Sequence, residues 1–211
     1  MIKVDGLTFG YKSTETIIDG LNYHFDAGLV TAVTGPSGRG KSTLLYLIGL
    51  LLSPWTGSVR VEEAEVSSWS DMRRSVFRAS QVGFVFQDAA LDASRTVLDN
   101  IVESSLYNRM SRRHAVTRAV ELMDRFGVAL RSDHKPGEVS GGQAQRIALC
   151  RALVAEPDIV LADEPTGNLD VATAQVVVDT LVHLAYDEGR TVVIATHDPT
   201  IVSICDQVLE L

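Results

Sequence analysis

At 211 residues and 22.9 kDa the chain is long enough to bury a core of its own, as one compact domain or a domain with a lobe. With 19 basic and 27 acidic residues the net charge is −8, which argues against a broad electrostatic grip on nucleic acid. Two cysteines, Cys150 and Cys205, lie in apolar helical contexts without CxxC spacing and read as reduced core residues of a cytoplasmic protein.

The opening stretch MIKVDGLTFGYKS has no basic region followed by an apolar run, so no signal peptide is expected. IKVDGLTF and LNYHFDAG alternate loosely, and LVTAVT (Leu29 to Thr34) is a short β-branched run ending at a glycine, the pattern of a buried strand. A helix is expected from Lys41 to Leu51, stopped by Ser53-Pro54. Its apolar stretch, Leu44 to Leu52, falls far short of the about 20 residues a bilayer-spanning helix needs, so any membrane span must come from another chain.

GSVRVEE reads as a strand after a turn, and VGFVFQ (Val82 to Gln87) as the next. The pattern then becomes helical from Thr96 to Phe126, with Val97, Ile101, Leu106, Val116, Val120 and Met123 spaced on faces. Within it NRMSRRHAVTR (Asn108 to Arg118) is a local basic run and reads as the solvated face of a helix. Little β-propensity returns before DIVLAD at Asp158. The expectation is a helical lobe, residues 88–156, inserted into an α/β core made of 1–87 and 157–211.

After the lobe come strand DIVLAD, a helix from Ala172 to Tyr186, strand TVVIAT, a short helix after Pro199 and a last strand QVLEL. The helix places Ala174, Val177, Val178, Leu181 and Ala185 on one face. Apolar strands alternating with helices imply a largely parallel sheet covered on both sides.

GPSGRGKST (Gly35, Pro36, Ser37, Gly38, Arg39, Gly40, Lys41, Ser42, Thr43) matches G-x-x-x-x-G-K-[ST] between a strand and a helix, the context in which this pattern cradles nucleotide phosphates. Glycines let backbone N–H groups turn inward and the helix N-terminus adds partial positive charge. Lys41 would reach the β- and γ-phosphates of ATP, and Ser42 would hold Mg²⁺. IVLADE ends an apolar strand in two carboxylates: Asp163 suits the Mg²⁺ shell and Glu164 could polarise an attacking water.

VSGGQAQR presents a second anion-binding pattern. Ser140 and Gln143 form S-x-x-Q, a capping box at the start of RIALCRALVA. Gly141 and Gly142 weaken that first turn, which makes sense if an anion must approach the backbone closely.

The ordered set Gly35–Thr43, Gln87, VSGGQ, IVLADE, NLD and His197 resembles the nucleotide-binding subunit of ABC transporters over essentially the whole chain. The resemblance implies a P-loop NTPase α/β core with a mostly parallel sheet, an N-terminal antiparallel β region and the inserted helical lobe. It implies a head-to-tail homodimer in the ATP-bound state, each ATP lying between the phosphate loop of one copy and Ser140, Gly141, Gly142 and Gln143 of the other. By the same resemblance Tyr11 stacks on adenine, and Gln87 contacts the Mg²⁺ and water region and relays to the membrane subunit. His197 touches the γ-phosphate beside Glu164, and Asp170 adds a contact across the dimer. Asp170 also reads as an N-cap, and Asp198-Pro199 as a cap and first-turn pair.

ADEPTGNLD, VGFVFQ and STLLYLIGLL narrow the likeness to bacterial ATPases of lipoprotein release, macrolide and peptide export, and the related cell-division ATPase. A transmembrane permease is therefore the implied partner, with the chain peripheral on the inner face of the plasma membrane. A regulatory ATPase acting on a cell-wall or division machine without transport is the alternative. Val139, Ala144 and Arg39 depart from the family pattern, as does DAALDASRTVLDN, without removing a catalytic group. DNA-repair relatives carry long coiled coils, and no sustained heptads occur here.

Overall fold

A computed structural model describes residues 1–107 and 110–211. Two sheets are laid down in an order that the sequence pattern already distinguishes. The first is antiparallel, in the order β2-β1-β4-β5, from β1 (Ile2–Phe9), β2 (Ile18–Phe25), β4 (Thr56–Val61) and β5 (Ala64–Glu65). The second is parallel throughout, in the order β6-β7-β8-β3-β9, from β3 (Val30–Thr34), β6 (Val82–Val85), β7 (Ile159–Asp163), β8 (Thr191–Ala195) and β9 (Gln207–Glu210).

Every residue of β7 and β8 is buried, which explains their unbroken apolar runs: both faces of this sheet are covered. Alternation along each strand divides the core. Ile159, Leu161, Val193 and Ala195 pack with the antiparallel sheet and α1 (Lys41–Ile48). Val160, Ala162, Val192 and Ile194 pack on the other face with the remaining helices. Those are α3 (Val97–Val102), α4 (Arg112–Arg125), α5 (Gly141–Leu153) and α6 (Val171–Tyr186). A short α7 (Pro199–Val202) precedes β9. The fold class is the α/β one expected, and no strand intervenes between β6 and β7 among the described residues.

Three local expectations need correction. An unforeseen helix, α2 (Asp71–Gln81), lies between β5 and β6. None of its residues is fully buried: Phe77 packs against the core and Trp69, while Met72 and Val76 are exposed, so its apolar positions are few. Only its cap is legible: Ser70 accepts from the Arg73 N–H, and the Arg73 guanidinium sits 3.7 Å over the Trp69 ring. Helix α1 ends at Ile48 instead of Leu51, because Gly49 caps it and Leu50 turns to φ 60°. In the helical segment Leu106 and Val120 are exposed, and α4 packs through Ala115, Ala119, Leu122 and Met123.

Of the basic run, Asn108 and Arg109 lie outside the described residues; Arg112 and Arg113 are exposed on α4. Cys150 is buried and its thiol is pushed up out of the ordinary range by that burial. Cys205 is only partly buried, with its thiol raised to about 11 by burial and by neighbouring Asp206.

Candidate functional site

The carboxyl ends of β3, β7 and β8 open into a cleft of about 730 Å³. Its floor is the loop from Gly35 to Gly40. Gly35 has φ 131°, and a Cβ there would lie 2.6 Å from the Leu211 carbonyl oxygen. Gly40, the residue before α1, has φ 99°, and its Cβ would meet the Ile17 side chain at 2.6 Å. Both positions therefore demand glycine, and the loop leads directly into the N-terminus of α1.

Lys41 reaches back over this loop, its Nζ donating to the carbonyls of Gly35 (2.8 Å) and Pro36 (3.1 Å). Ser42 follows one residue on and lines the same cleft as Asp163, the last residue of β7. Burial pushes the Asp163 carboxyl up; the Ser42 hydroxyl and the Lys41 charge pull it down, while neighbouring Glu164 adds to the rise. A buried carboxylate and a hydroxyl together fit a hard divalent cation, which would relieve the burial penalty. Among the described residues no group of three or more His, Cys, Asp or Glu forms a self-sufficient metal site.

Glu164 leaves the strand with φ 46°, a left-handed conformation uncommon for a residue with a side chain. Its N–H donates to the Ala195 carbonyl (2.9 Å), so it sits beside the end of β8. There Oε1 lies 2.6 Å from His197 Nδ1, and Oε2 accepts from the Thr196 hydroxyl at 3.2 Å. His197 is exposed and Glu164 is mostly covered, so the pair stands at the lip of the cleft with its carboxylate turned inward.

Of the residues singled out from the sequence, Tyr11, Gly35, Pro36, Ser37, Gly38, Gly40, Lys41, Ser42, Thr43, Gln87, Asp163, Glu164 and His197 all line the cleft. Tyr11 stands at its edge, largely exposed, its hydroxyl 3.4 Å from Thr43 Oγ1 and its ring edge-on to Phe9. Arg39 does not line it, nor do Ser140, Gly141, Gly142, Gln143 and Asp170.

Those five form a second locus. Ser140 caps α5 and makes the reciprocal box: Gln143 N–H donates to Ser140 Oγ (3.3 Å), and Ser140 N–H to Gln143 Oε1 (2.9 Å). A Cβ on Gly141 would meet nothing within 4 Å, and one on Gly142 would make ordinary contacts with Asn168 and Leu169. Neither glycine has a positive φ, so the chain's own packing requires glycine at neither position. Asp170 caps α6 through the Thr173 N–H (3.0 Å), and its carboxylate is held below the usual range by the Thr173 hydroxyl and amide.

The two loci are joined through α5. Gln145, itself buried, donates to the Phe86 carbonyl at 3.2 Å, and Arg151 donates to the carbonyls of Ala89 and Ala90 at 2.7 Å each. Gln87 is thus held between two points of the helix that starts at Ser140. Sequence reasoning missed Ile17, Gly167 and Asn168 in the cleft wall and Thr196 beneath it. Asn168 stands in the NLD run and Thr196 next to His197, but Ile17 has no local signal.

The family model described as ABC transporter matches residues 18–167. The lipoprotein-releasing system ATP-binding protein LolD of Roseobacter denitrificans is 40% identical over 100% of this chain and 95% of its own. The LolD of Geobacter metallireducens is 42% identical with the same coverages. Among solved structures, the ATP-binding cassette MJ0796 in a dimeric post-hydrolysis state bound to ADP and Pi superposes with TM-score 0.94 at 33% identity. That match covers 100% of this chain and 94% of the other.

Proposed function

Because this chain belongs to the ABC transporter family, as its ATP-binding subunit, we propose that it hydrolyses Mg-ATP in the cleft between Tyr11 and His197 to drive a lipoprotein-releasing permease. The observation that supports this most is the Glu164 carboxylate. It is held by His197 and Thr196 over the same cleft that Lys41, Ser42 and Asp163 line.

On this reading the loop amides from Gly35 to Thr43 and the Lys41 ammonium bind the phosphates, and Tyr11 offers a ring to the base. Ser42, Asp163 and Gln87 would hold Mg²⁺, which would help neutralise the negative charge of the phosphate groups. Glu164 accepts a hydrogen bond from the attacking water and aims it at the γ-phosphorus. His197, tied to Glu164 through Nδ1, has Nε2 left to face the γ-phosphate.

Residues 1–87 and 157–211 act as the nucleotide-holding core, and 88–156 as a lobe that presents Ser140 to a second copy. Two observations favour the homodimer: this locus lies off the chain's own cleft, and neither Gly141 nor Gly142 is required by a positive φ or a close contact within the chain. Asp170, next to it, would add a contact across that interface.

No helix among the described residues is long and apolar enough to cross a membrane, so the permease supplies the spans and keeps this chain on the inner membrane face. An apolar groove of about 540 Å³ between α2 and the helical segment, lined by Leu51, Met72, Val76, Phe84 and Tyr107, is the face on which it would dock. The test is capture of the full-length protein from detergent extract, followed by reconstitution of the captured complex in vesicles containing a lipoprotein. ATP-dependent lipoprotein release that is lost in Glu164→Gln supports the proposal. ATP turnover with no captured membrane protein, or with a membrane protein but no release, refutes the transport assignment.

A further inference from the structure

We infer that Thr196 is the positioning residue for the water-activating carboxylate: its buried hydroxyl fixes the direction in which Glu164 points. The inference rests on the role given to Glu164 above and adds a residue to it.

Glu164 cannot owe its aim to strand geometry, because it has already left β7 with φ 46°. Its carboxylate has two side-chain partners, and they differ in exposure. His197 is 78% exposed at its side chain, so its contact with Glu164 is made beside solvent. Thr196 is fully buried and immobilised on three sides. Its N–H donates to the Val33 carbonyl at 3.1 Å, on the strand that runs into the phosphate loop. Its hydroxyl oxygen accepts from the Asp198 N–H at 3.1 Å. The same hydroxyl lies 3.2 Å from Glu164 Oε2.

The proton arrangement follows. A threonine hydroxyl has one hydrogen, and the Asp198 amide occupies one of its lone pairs. The hydrogen is therefore directed to the carboxylate, a charge-assisted bond with a defined sense. Through Val33 the same residue is referenced to the loop that holds the γ-phosphate. Thr196 thus sets the distance between water-activating group and phosphate from a buried anchor, whereas His197 approaches the carboxylate from the exposed side. Near-attack placement is sensitive at this scale: a displacement of about 1 Å can cost roughly 100-fold in rate.

The test compares steady-state ATP hydrolysis by the purified full-length protein and by Thr196→Val, Thr196→Ser and Glu164→Gln, with melting temperatures alongside. Thr196→Val keeps the shape and removes the hydroxyl. The expected result is a fall in kcat of roughly 10- to 100-fold with the KM for ATP within about twofold, and recovery to within about threefold in Thr196→Ser. If the valine variant does not fold, Thr196→Ala takes its place, with serine again the rescue. Unchanged kcat in a folded hydroxyl-free variant overturns the inference, as does a serine variant no better than it. A loss confined to KM also overturns it, because that reports binding and not aim. Glu164→Gln separates the two levels. If that variant hydrolyses ATP at the full rate, the role of Glu164 itself is wrong. If it is inactive while the hydroxyl-free Thr196 variant is fully active, only the role of Thr196 is.

Discussion

Gly141→Ala should make the isolated protein slightly more stable and its ATPase much weaker, a combination that separates folding from function at one atom. Gly141 occupies the first position of α5, its φ is ordinary, and a Cβ there would meet nothing within 4 Å. Alanine then costs no packing and removes the entropy that glycine loses on entering a helix, a gain of about 0.5–1 kcal/mol at an interior position and less at this end. For a chain of this size that corresponds to a rise in Tm of roughly 1–3 °C. Function should move the other way. If the γ-phosphate held by another copy approaches this turn, a methyl group takes the space its oxygens need. Losing one backbone contact to a transferring phosphoryl group should cost at least about tenfold in kcat, by analogy with removing an oxyanion donor. Thermal melting without nucleotide gives the first quantity and steady-state ATP hydrolysis the second; binding of ATP to the monomer, measured separately, should be unaltered. Full hydrolytic activity in Gly141→Ala would refute the reasoning that this turn faces a phosphate. A lowered Tm would refute the claim that the chain itself leaves the position open.

Leu161→Ala, at a fully buried position of β7 facing α1, should destabilise by about 2–5 kcal/mol in a denaturant titration through the cavity it leaves. Arg151→Met strips two donors from the carbonyls of Ala89 and Ala90 and should cost about 1–3 kcal/mol by the same measurement; no loss would mean that water replaces the guanidinium there. The Asp92 carboxylate is held below its usual range by the Ser94 hydroxyl and amide and by Arg95. Its folded value lies below its unfolded one, so the stability it contributes is present above about pH 4 and fades as pH falls through the folded value. Asp92→Asn should therefore be less stable than the parent at neutral pH, and the two melting temperatures should converge as pH falls through the folded value; curves that stay parallel throughout would contradict this.

Much of the cleft was readable because its devices are local. The cradle from Gly35 to Thr43 is one continuous backbone turn, and its glycines are required by conformation and close approach, constraints written into residue type. Asp163 and Glu164 close a short apolar run, IVLA, that the fold uses as a fully buried strand. Caps were equally legible at Ser140, Asp170 and Asp198, since a cap is a relation between a side chain and an amide two or three residues on. Helix α2 escaped for the converse reason. It meets the core mainly through Phe77, and one apolar contact is too few for spacing to reveal a helix. Leu106 and Val120 mislead because they are apolar residues at helical spacing that nevertheless stand exposed.

By itself the amino-acid sequence determined which chemical groups this protein brings to a nucleotide, and on which strand ends and helix starts they stand. Tertiary structure decided what those groups touch. Parallel pairing of β7 with β8 places Asp163 opposite Ala195, and only that register sets Glu164 beside Thr196 and His197, more than 30 residues on. Sheet order puts β3, and hence the phosphate loop, on the other side of β8, and brings Ile17 from a distant turn against Gly40. Propensity and periodicity act over a few residues. Register and strand order are settled by burying two faces of one sheet at once, a condition that no single segment of the chain contains.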